Sequence, residues 1–251
     1  MSTVQEPILK IEHLVGGYLK RKPVLHDLNF EVHSNEIVGL IGLNGAGKST
    51  TIKHILGLLE PVEGSIRIHG VSRQEKRELY QSKLTYIPES PIFYEQLTLW
   101  EHLNLTAMAY DLKENWTDTA DVLLKEFRME KMKHWLPETF SKGMKQKLMI
   151  ICAFLARPSL YVIDEPFLGL DPRAIQSLLT LMDARKEEGS GILVSTHILA
   201  TAERFCNRFV LLHEGRILLQ GTLRQLQQQT KLENATLDEI FMKVTEVTHH
   251  E

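Results

Sequence analysis

With only two cysteines in 251 residues, a disulfide framework is excluded, and Cys152 and Cys206 lie too far apart for metal-ligand spacing. The expectation is two ordinary buried thiols in a reducing cytoplasm. Long apolar runs are also missing. The longest, Leu148–Ala156, is far shorter than the roughly 20 residues that cross a bilayer. No charge sign dominates, because 29 Lys and Arg against 32 Asp and Glu leave a net charge of −3. Such a balance exerts no general pull toward an anionic membrane surface or nucleic acid, and no nucleic-acid partner is expected. The opening stretch MSTVQEPILKIEHL lacks the charged-then-apolar design of a secretory leader. Repeats, low-complexity segments and coiled-coil arms are absent as well. What remains is an ordinary globular composition, long enough for one large domain or two small ones with a sizeable core. Any work at a membrane would need something else to hold the chain there.

Against that plain background one stretch organises the rest. Gly42-Leu43-Asn44-Gly45-Ala46-Gly47-Lys48-Ser49 reads G-x-x-x-x-G-K-S. It follows the short apolar run EIVGLI, of strand type, and precedes Thr50 to Leu59, which has helical spacing. That strand-loop-helix context gives the pattern its meaning as a phosphate-binding loop. Backbone N–H groups of Asn44 to Ser49 would point inward as an anion nest, helped by the positive end of the helix dipole. The glycines let the backbone approach phosphate closely. Lys48 would reach the β- and γ-phosphates and Ser49 would offer its hydroxyl to Mg²⁺, so a nucleoside triphosphate is the expected ligand.

Residues 8–41 read as three strands. ILKIEHL and VLHDLNFEV alternate apolar and polar residues, as a half-exposed antiparallel layer does. EIVGLI is nearly all apolar, as a buried parallel strand is. Between the first two, Tyr18 is either a strand-edge tyrosine or a platform for an adenine ring, and Lys20-Arg21-Lys22 reads as a solvated loop. Residues 90–157 change character and carry helical patterns almost exclusively. Thr98-x-x-Glu101 forms a capping box, Thr117–Phe127 a second helix, and Ser141 precedes a helix over Met144–Ala156 that Pro158 stops. Met108, Met129, Met132 and Trp135 read most simply as core filler. The α/β pattern returns with the strand SLYVIDEP, a helix over Arg173–Glu188, the strand GILVST and a hairpin turning at Glu214-Gly215. Two short helices form the tail, the second capped by Thr236-x-x-Glu239 with Leu237, Ile240, Phe241 and Val244 on one face.

The strand LYVIDEP is the natural partner of the phosphate loop. Asp164 at its C-terminal end would hold Mg²⁺. Glu165 beside it could polarise a water aimed at the γ-phosphate. An acid adjacent to the metal-binding Asp points to hydrolysis rather than transfer to a second substrate.

Together VGLIGLNGAGKSTTIKHI, YIPESP, FSKGMKQKLMIICAFLA, IDEPFLGLDP and STHILATAERFC resemble the ATP-binding subunit of an ATP-binding cassette (ABC) transporter over about residues 8–222. They are most similar to the Ecs-type exporter ATPases of Gram-positive bacteria. The resemblance implies an α/β P-loop NTPase of ABC type, with a mixed, largely parallel β core, an antiparallel β layer and an inserted helical subdomain. Residues 1–89 and 158–222 would form the ATP-binding core, 90–157 the helical subdomain and 223–251 a C-terminal tail. The tail would dimerise, dock a membrane subunit or simply pack. Implied nucleotide-binding residues are Tyr18, stacked on adenine, then Gly42, Leu43, Asn44, Gly45, Ala46, Gly47, Lys48, Ser49 and Thr50. Ser141 and Gly143 would add γ-phosphate donors, and Asp171 belongs to a loop crossing a dimer interface. Glu165, His197 and Glu89 would be catalytic, and Ser49, Glu89 and Asp164 would hold Mg²⁺.

Two departures mark this chain. Glu89 stands where the family usually has Gln, adding a negative charge near Glu165. Phe140-Ser141-Lys142-Gly143-Met144 replaces L-S-G-G-Q. The implied protein is an ATP hydrolase coupled to transport, with ATP and Mg²⁺ as cofactors. A second copy would pair with it head to tail, and an integral membrane permease would hold it to the inner face of the cell membrane. The main rival is a soluble single-cassette ABC ATPase acting on a non-transport complex.

Overall fold

A computed structural model of the chain describes residues 6–113 and 115–248. The opening residues 1–5, on which the expectation of no secretory leader rests, and the end of the tail at 249–251 lie outside the described residues. Two sheets organise the molecule. β1 (Leu9–Gly16), β2 (Leu25–Val32), β4 (Glu63–Ile68) and β5 (Val71–Ser72) form an antiparallel sheet in the order β2-β1-β4-β5. The second sheet contains β3 (Glu36–Ile41), β6 (Leu84–Ile87), β7 (Leu160–Asp164), β8 (Gly191–Thr196), β9 (Arg208–His213) and β10 (Arg216–Gly221), in the order β10-β9-β3-β8-β7-β6. Its strands run parallel except β10, which pairs antiparallel with β9 after a turn through Glu214 and Gly215, both at positive φ.

The parallel strands are buried on both faces, and their side chains alternate between two cores as the period of two requires. Tyr161, Ile163, Ile192 and Val194 join a core built with the helices α3 (Leu99–Ala109), α4 (Trp116–Glu126), α5 (Lys142–Ala156) and α6 (Pro172–Glu187). Leu160, Val162 and Leu193 join the opposite core, shared with the antiparallel sheet and with α1 (Lys48–Ile55). The tail helices α8 (Leu223–Thr230) and α9 (Leu237–Thr248) seat Leu226, Leu237, Ile240 and Phe241 in a third cluster with Leu199, Phe209 and Leu211. The short helices α2 (Arg77–Ser82) and α7 (Leu199–Phe205) are too brief to leave a periodic signal in the sequence.

Local chemistry places the helix starts. Thr98 and Glu101 complete both legs of a capping box, as do Thr222 and Gln225. Ser141 caps α5 through Met144 N, which moves that helix start to Lys142, ahead of the expected Met144. The core-filler expectation holds for Met129, which is 1% exposed, and fails for Met108 and Trp135, 72% and 52% exposed. The reason is the face each occupies. Leu99, Leu103 and Ala107 turn α3 toward the core and leave the neighbouring Met108 outward, while Trp135 follows a 3₁₀ turn on the surface. Among the described residues no helix is long and apolar enough to cross a membrane.

Candidate functional site

Four parallel strands end at one edge. Ile41 of β3 pairs with Thr196 of β8, Asp164 of β7 pairs with Ser195, and Ile87 of β6 pairs with Ile163. The residues immediately beyond these strands therefore converge: the phosphate loop, Glu165, His197 and Glu89. Ligands of open α/β sheets bind at this carboxyl edge. A cleft of about 360 Å³ opens there, lined by Tyr18, Leu43, Asn44, Gly45, Gly47, Lys48, Ser49, Thr50, Glu89, Asp164, Glu165 and His197. That volume lies within the range of roughly 300–1,000 Å³ usual for small-molecule sites.

The loop's backbone is shaped for anions. Gly47 sits at φ 111°, a left-handed conformation that side chains rarely adopt, and a Cβ there would meet Leu25 Cδ2 at 2.8 Å. It precedes α1 without any side-chain cap, leaving that helix's first N–H groups for a ligand. Gly42 and Ala46 do not line the cleft; they support the loop from behind, Ala46 being buried and Gly42 packed against Leu212 O. Lys48 lies across the loop, donating to Gly42 O at 2.7 Å and to Leu43 O at 3.3 Å. Burial pushes its ammonium pKa down, while the charges of Glu165, Asp164 and Glu89 pull it back up.

Opposite Lys48 the carboxylates are held individually. Asp164 is buried and accepts from Ser195 Oγ, and burial, with the charges of Glu89 and Glu165, raises its pKa above the usual carboxylate range. Glu165 is also buried, with its backbone at φ 46°, so that its side chain turns out of the strand direction into the cleft. Its Oε1 accepts from His197 Nδ1 at 2.7 Å and stands 4.0 Å from Lys48 Nζ, while its Oε2 accepts from Thr196 Oγ1 at 3.1 Å. A positioned base oriented by neighbouring donors is the arrangement that hydrolytic chemistry needs.

Tyr18 is 58% exposed at the cleft's rim. Lys53 Nζ donates to its hydroxyl at 3.0 Å and sits 5.0 Å from the ring centroid, leaving an aromatic face available for stacking. Divalent-cation chemistry also fits. Ser49, Asp164 and Glu89 offer hard oxygen donors to one cleft, where burial first and then the neighbouring charges of Glu89 and Glu165 raise the Asp164 pKa against the opposing charge of Lys48. Among the described residues no three His, Cys, Asp or Glu side chains form a metal cluster by themselves. Such a donor set suits Mg²⁺ completed by phosphate and water oxygens.

Three expected site residues lie elsewhere. Ser141 caps α5, and Gly143 in its first turn packs so tightly that a Cβ would lie 2.6 Å from Gly169 O. Asp171 caps α6 by accepting from Arg173 N and Ala174 N, at 3.1 and 2.9 Å, and pairs with Lys147 Nζ at 2.9 Å. Neither segment lines the cleft. Lys147 and the capped backbone N–H groups lower the Asp171 carboxyl to about 2. A depressed carboxylate stabilises the fold above its ordinary value near 3.8, and this contribution is lost as pH falls toward 2. Asp171→Ala is expected to lower stability by about 0.5–2 kcal/mol at pH 7, the usual cost of a lost N-cap. Thermal melts should show that difference shrinking as the pH falls toward 2.

Residues not singled out from the sequence also shape the site. Ser195 and Thr196, the last residues of β8, hold Asp164 and Glu165. Tyr86, in β6 opposite Val162, reaches Asp164 with its hydroxyl. Their only sequence signal is their place just before His197 and Glu89.

Comparison with known proteins points one way. A family model described as ABC transporter matches residues 25–168. The ABC-type transporter ATP-binding protein EcsA of Bacillus subtilis (strain 168) is 56% identical over 239 residues, 95% of this chain and 96% of that one. The lipopolysaccharide export system ATP-binding protein LptB of Haemophilus influenzae is 31% identical over 241 residues, 93% of this chain and 98% of that protein. A solved structure described as the ATP binding subunit of an ABC transporter superposes with a TM-score of 0.93 at 54% identity, covering 95% of this chain and 99% of the other.

Proposed function

The chain belongs to the ABC transporter family as an ATP-binding, ATP-hydrolysing subunit, and from that premise we propose that it works as half of a head-to-tail homodimer driving a membrane permease in export. The observation that carries the dimer is the division of the motifs. The phosphate loop, Asp164, Glu165 and His197 line one cleft, while Ser141 and Gly143 stand at a capped helix start outside it. A second copy rotated by a two-fold axis would bring its Ser141 and Gly143 to the γ-phosphate, giving two composite sites. Asp171 lies in the loop that would cross this interface. ATP would drive closure through its greater affinity for the closed form, the γ-phosphate contact supplying the difference.

Within each site Tyr18 stacks the adenine. Gly42 to Thr50 cradle the phosphates, the interior Gly42 and Ala46 by shaping the loop. Ser49, Asp164 and Glu89 would hold Mg²⁺, which when bound neutralises phosphate charge. Glu165 takes the proton of the attacking water, and His197 orients Glu165 through the 2.7 Å hydrogen bond.

Residues 1–89 and 158–222 serve as the ATP-binding core in this reading, and 90–157 as the segment that meets the permease. Exposed apolar side chains in that segment, Ile92, Tyr94, Met108 and Trp135, support it, because such surface favours a protein or membrane partner. Glu89 directly precedes that segment and touches the cleft. The described part of the tail packs through Leu226, Leu237, Ile240 and Phe241. Export is favoured by the export-system relative and by likeness to the Ecs-type ATPases. The permease would hold the subunit at the inner face of the membrane.

Light scattering tests the dimer. Glu165→Gln protein with Mg-ATP is expected to double in mass, and adding Ser141→Arg should return it to the monomer mass. A persistent monomer in Glu165→Gln, with ATP demonstrably bound, would overturn the homodimer. Tagged Glu165→Gln protein solubilised from native membranes with Mg-ATP should carry a stoichiometric polytopic membrane protein. Recovery with a soluble complex and absence from membranes would favour the soluble rival.

A further inference from the structure

Thr196 is 1% exposed at the end of β8, and its hydroxyl makes two hydrogen bonds of opposite sense. Ile198 N donates to Thr196 Oγ1 at 3.1 Å, and Thr196 Oγ1 lies 3.1 Å from Glu165 Oε2. A hydroxyl carries one proton. With one of its lone pairs already taken by the Ile198 N–H, and a carboxylate able only to accept, that proton points at Glu165 Oε2. The other carboxylate oxygen, Oε1, faces His197 and Lys48. The backbone reinforces the arrangement: Glu165 N donates to Ser195 O at 3.0 Å, tying the left-handed Glu165 to the residue before Thr196.

We propose that Thr196 is a positioning residue for hydrolysis, pinning Glu165 Oε2 so that Oε1 is the oxygen presented to the attacking water. It acts through Glu165 and touches no reacting atom. The inference rests on Glu165 serving as the base. A long side chain free to rotate about its terminal torsion would divide its time among unproductive orientations. Two donors from neighbouring residues, Thr196 on one oxygen and His197 on the other, hold a single orientation, and pre-organisation of this kind acts on kcat rather than on substrate binding.

Thr196→Val keeps the shape and removes the hydroxyl, while Thr196→Ser keeps the hydroxyl and removes the methyl. The loss of a hydrogen bond to a charged group predicts a kcat lower by roughly tenfold to a hundredfold in Thr196→Val. KM for ATP and the affinity for a non-hydrolysable ATP analogue should stay within about twofold of wild type, and Thr196→Ser should recover most of the loss. In single-turnover assays on the Glu165→Gln background, Thr196→Val should cost nothing further, because the two residues act as one unit. Equal losses in the Val and Ser variants, or a Val penalty that persists undiminished beside Glu165→Gln, would overturn the proposal. If Thr196→Val does not purify folded, Thr196→Ala is read by the same criteria. The underlying base assignment fails separately: near-normal turnover in Glu165→Gln rejects it. A dead Glu165→Gln with a fully active Thr196→Val rejects the Thr196 role alone.

Discussion

Glu165→Gln is expected to hydrolyse ATP about 10²–10⁴ times more slowly than the wild type, the range for a lost general base. The substitution changes little else. Gln matches Glu in length, its amide oxygen still accepts from His197 Nδ1, and its backbone meets the same left-handed conformation. The phosphate loop, Lys48 and Tyr18 are untouched, so ATP affinity should be kept. A variant that binds substrate and stalls before hydrolysis accumulates the ATP-bound form, which is why it is the right protein for the dimer and membrane experiments. Single-turnover measurement with Mg-ATP, alongside equilibrium binding of the same nucleotide, checks both halves of the expectation. Turnover within a few-fold of wild type would remove Glu165 from the role of base and shift attention to His197.

Lys48→Met should weaken ATP binding by roughly a hundredfold while leaving the nucleotide-free protein as thermally stable as wild type, or more so. The two effects have one origin. Lys48 is a buried cation whose pKa is lowered by burial, meaning that the fold disfavours its charge. A lysine with a depressed folded-state pKa opposes folding at neutral pH. That opposition fades as pH rises from the folded value toward the unfolded value of 10.5. Methionine fills similar space without the charge, so the opposition disappears at the cost of two hydrogen bonds to loop carbonyls. Phosphate, by contrast, loses a charge-assisted partner worth about 1.5–3 kcal/mol and the local positive field with it. Calorimetric melts without nucleotide, and titration with a non-hydrolysable analogue, separate the two. A melting temperature many degrees lower with unchanged affinity would make Lys48 a structural residue.

The phosphate loop, the helix caps and the parallel strands were legible because each depends on residues close together in the chain. Gly47 and Lys48 act within one turn of backbone, Thr98 and Glu101 close a single helical turn, and an all-apolar run such as Leu160–Ile163 must be buried on both faces. Likeness to a known family carried Tyr18 and His197 further than their own spacing did. An isolated tyrosine beside a basic loop, or an isolated histidine after a strand, has no local mark of function.

Tertiary structure decided the rest, because the remaining site contacts join residues distant in sequence. Thr196 and Glu165 are 31 residues apart, and they meet only because β7 and β8 are neighbours in a sheet whose order is not the chain order. The same register brings Glu89, Asp164 and His197 to one edge and leaves Ser141, Gly143 and Asp171 outside the cleft. It also decided which apolar side chains are core: Met129 is buried and Met108 is not, although both are methionines in the same helical segment. Amino-acid type and spacing determine what a short segment can do by itself. Which segments face one another follows from the packing of the two sheets and their helices into shared cores.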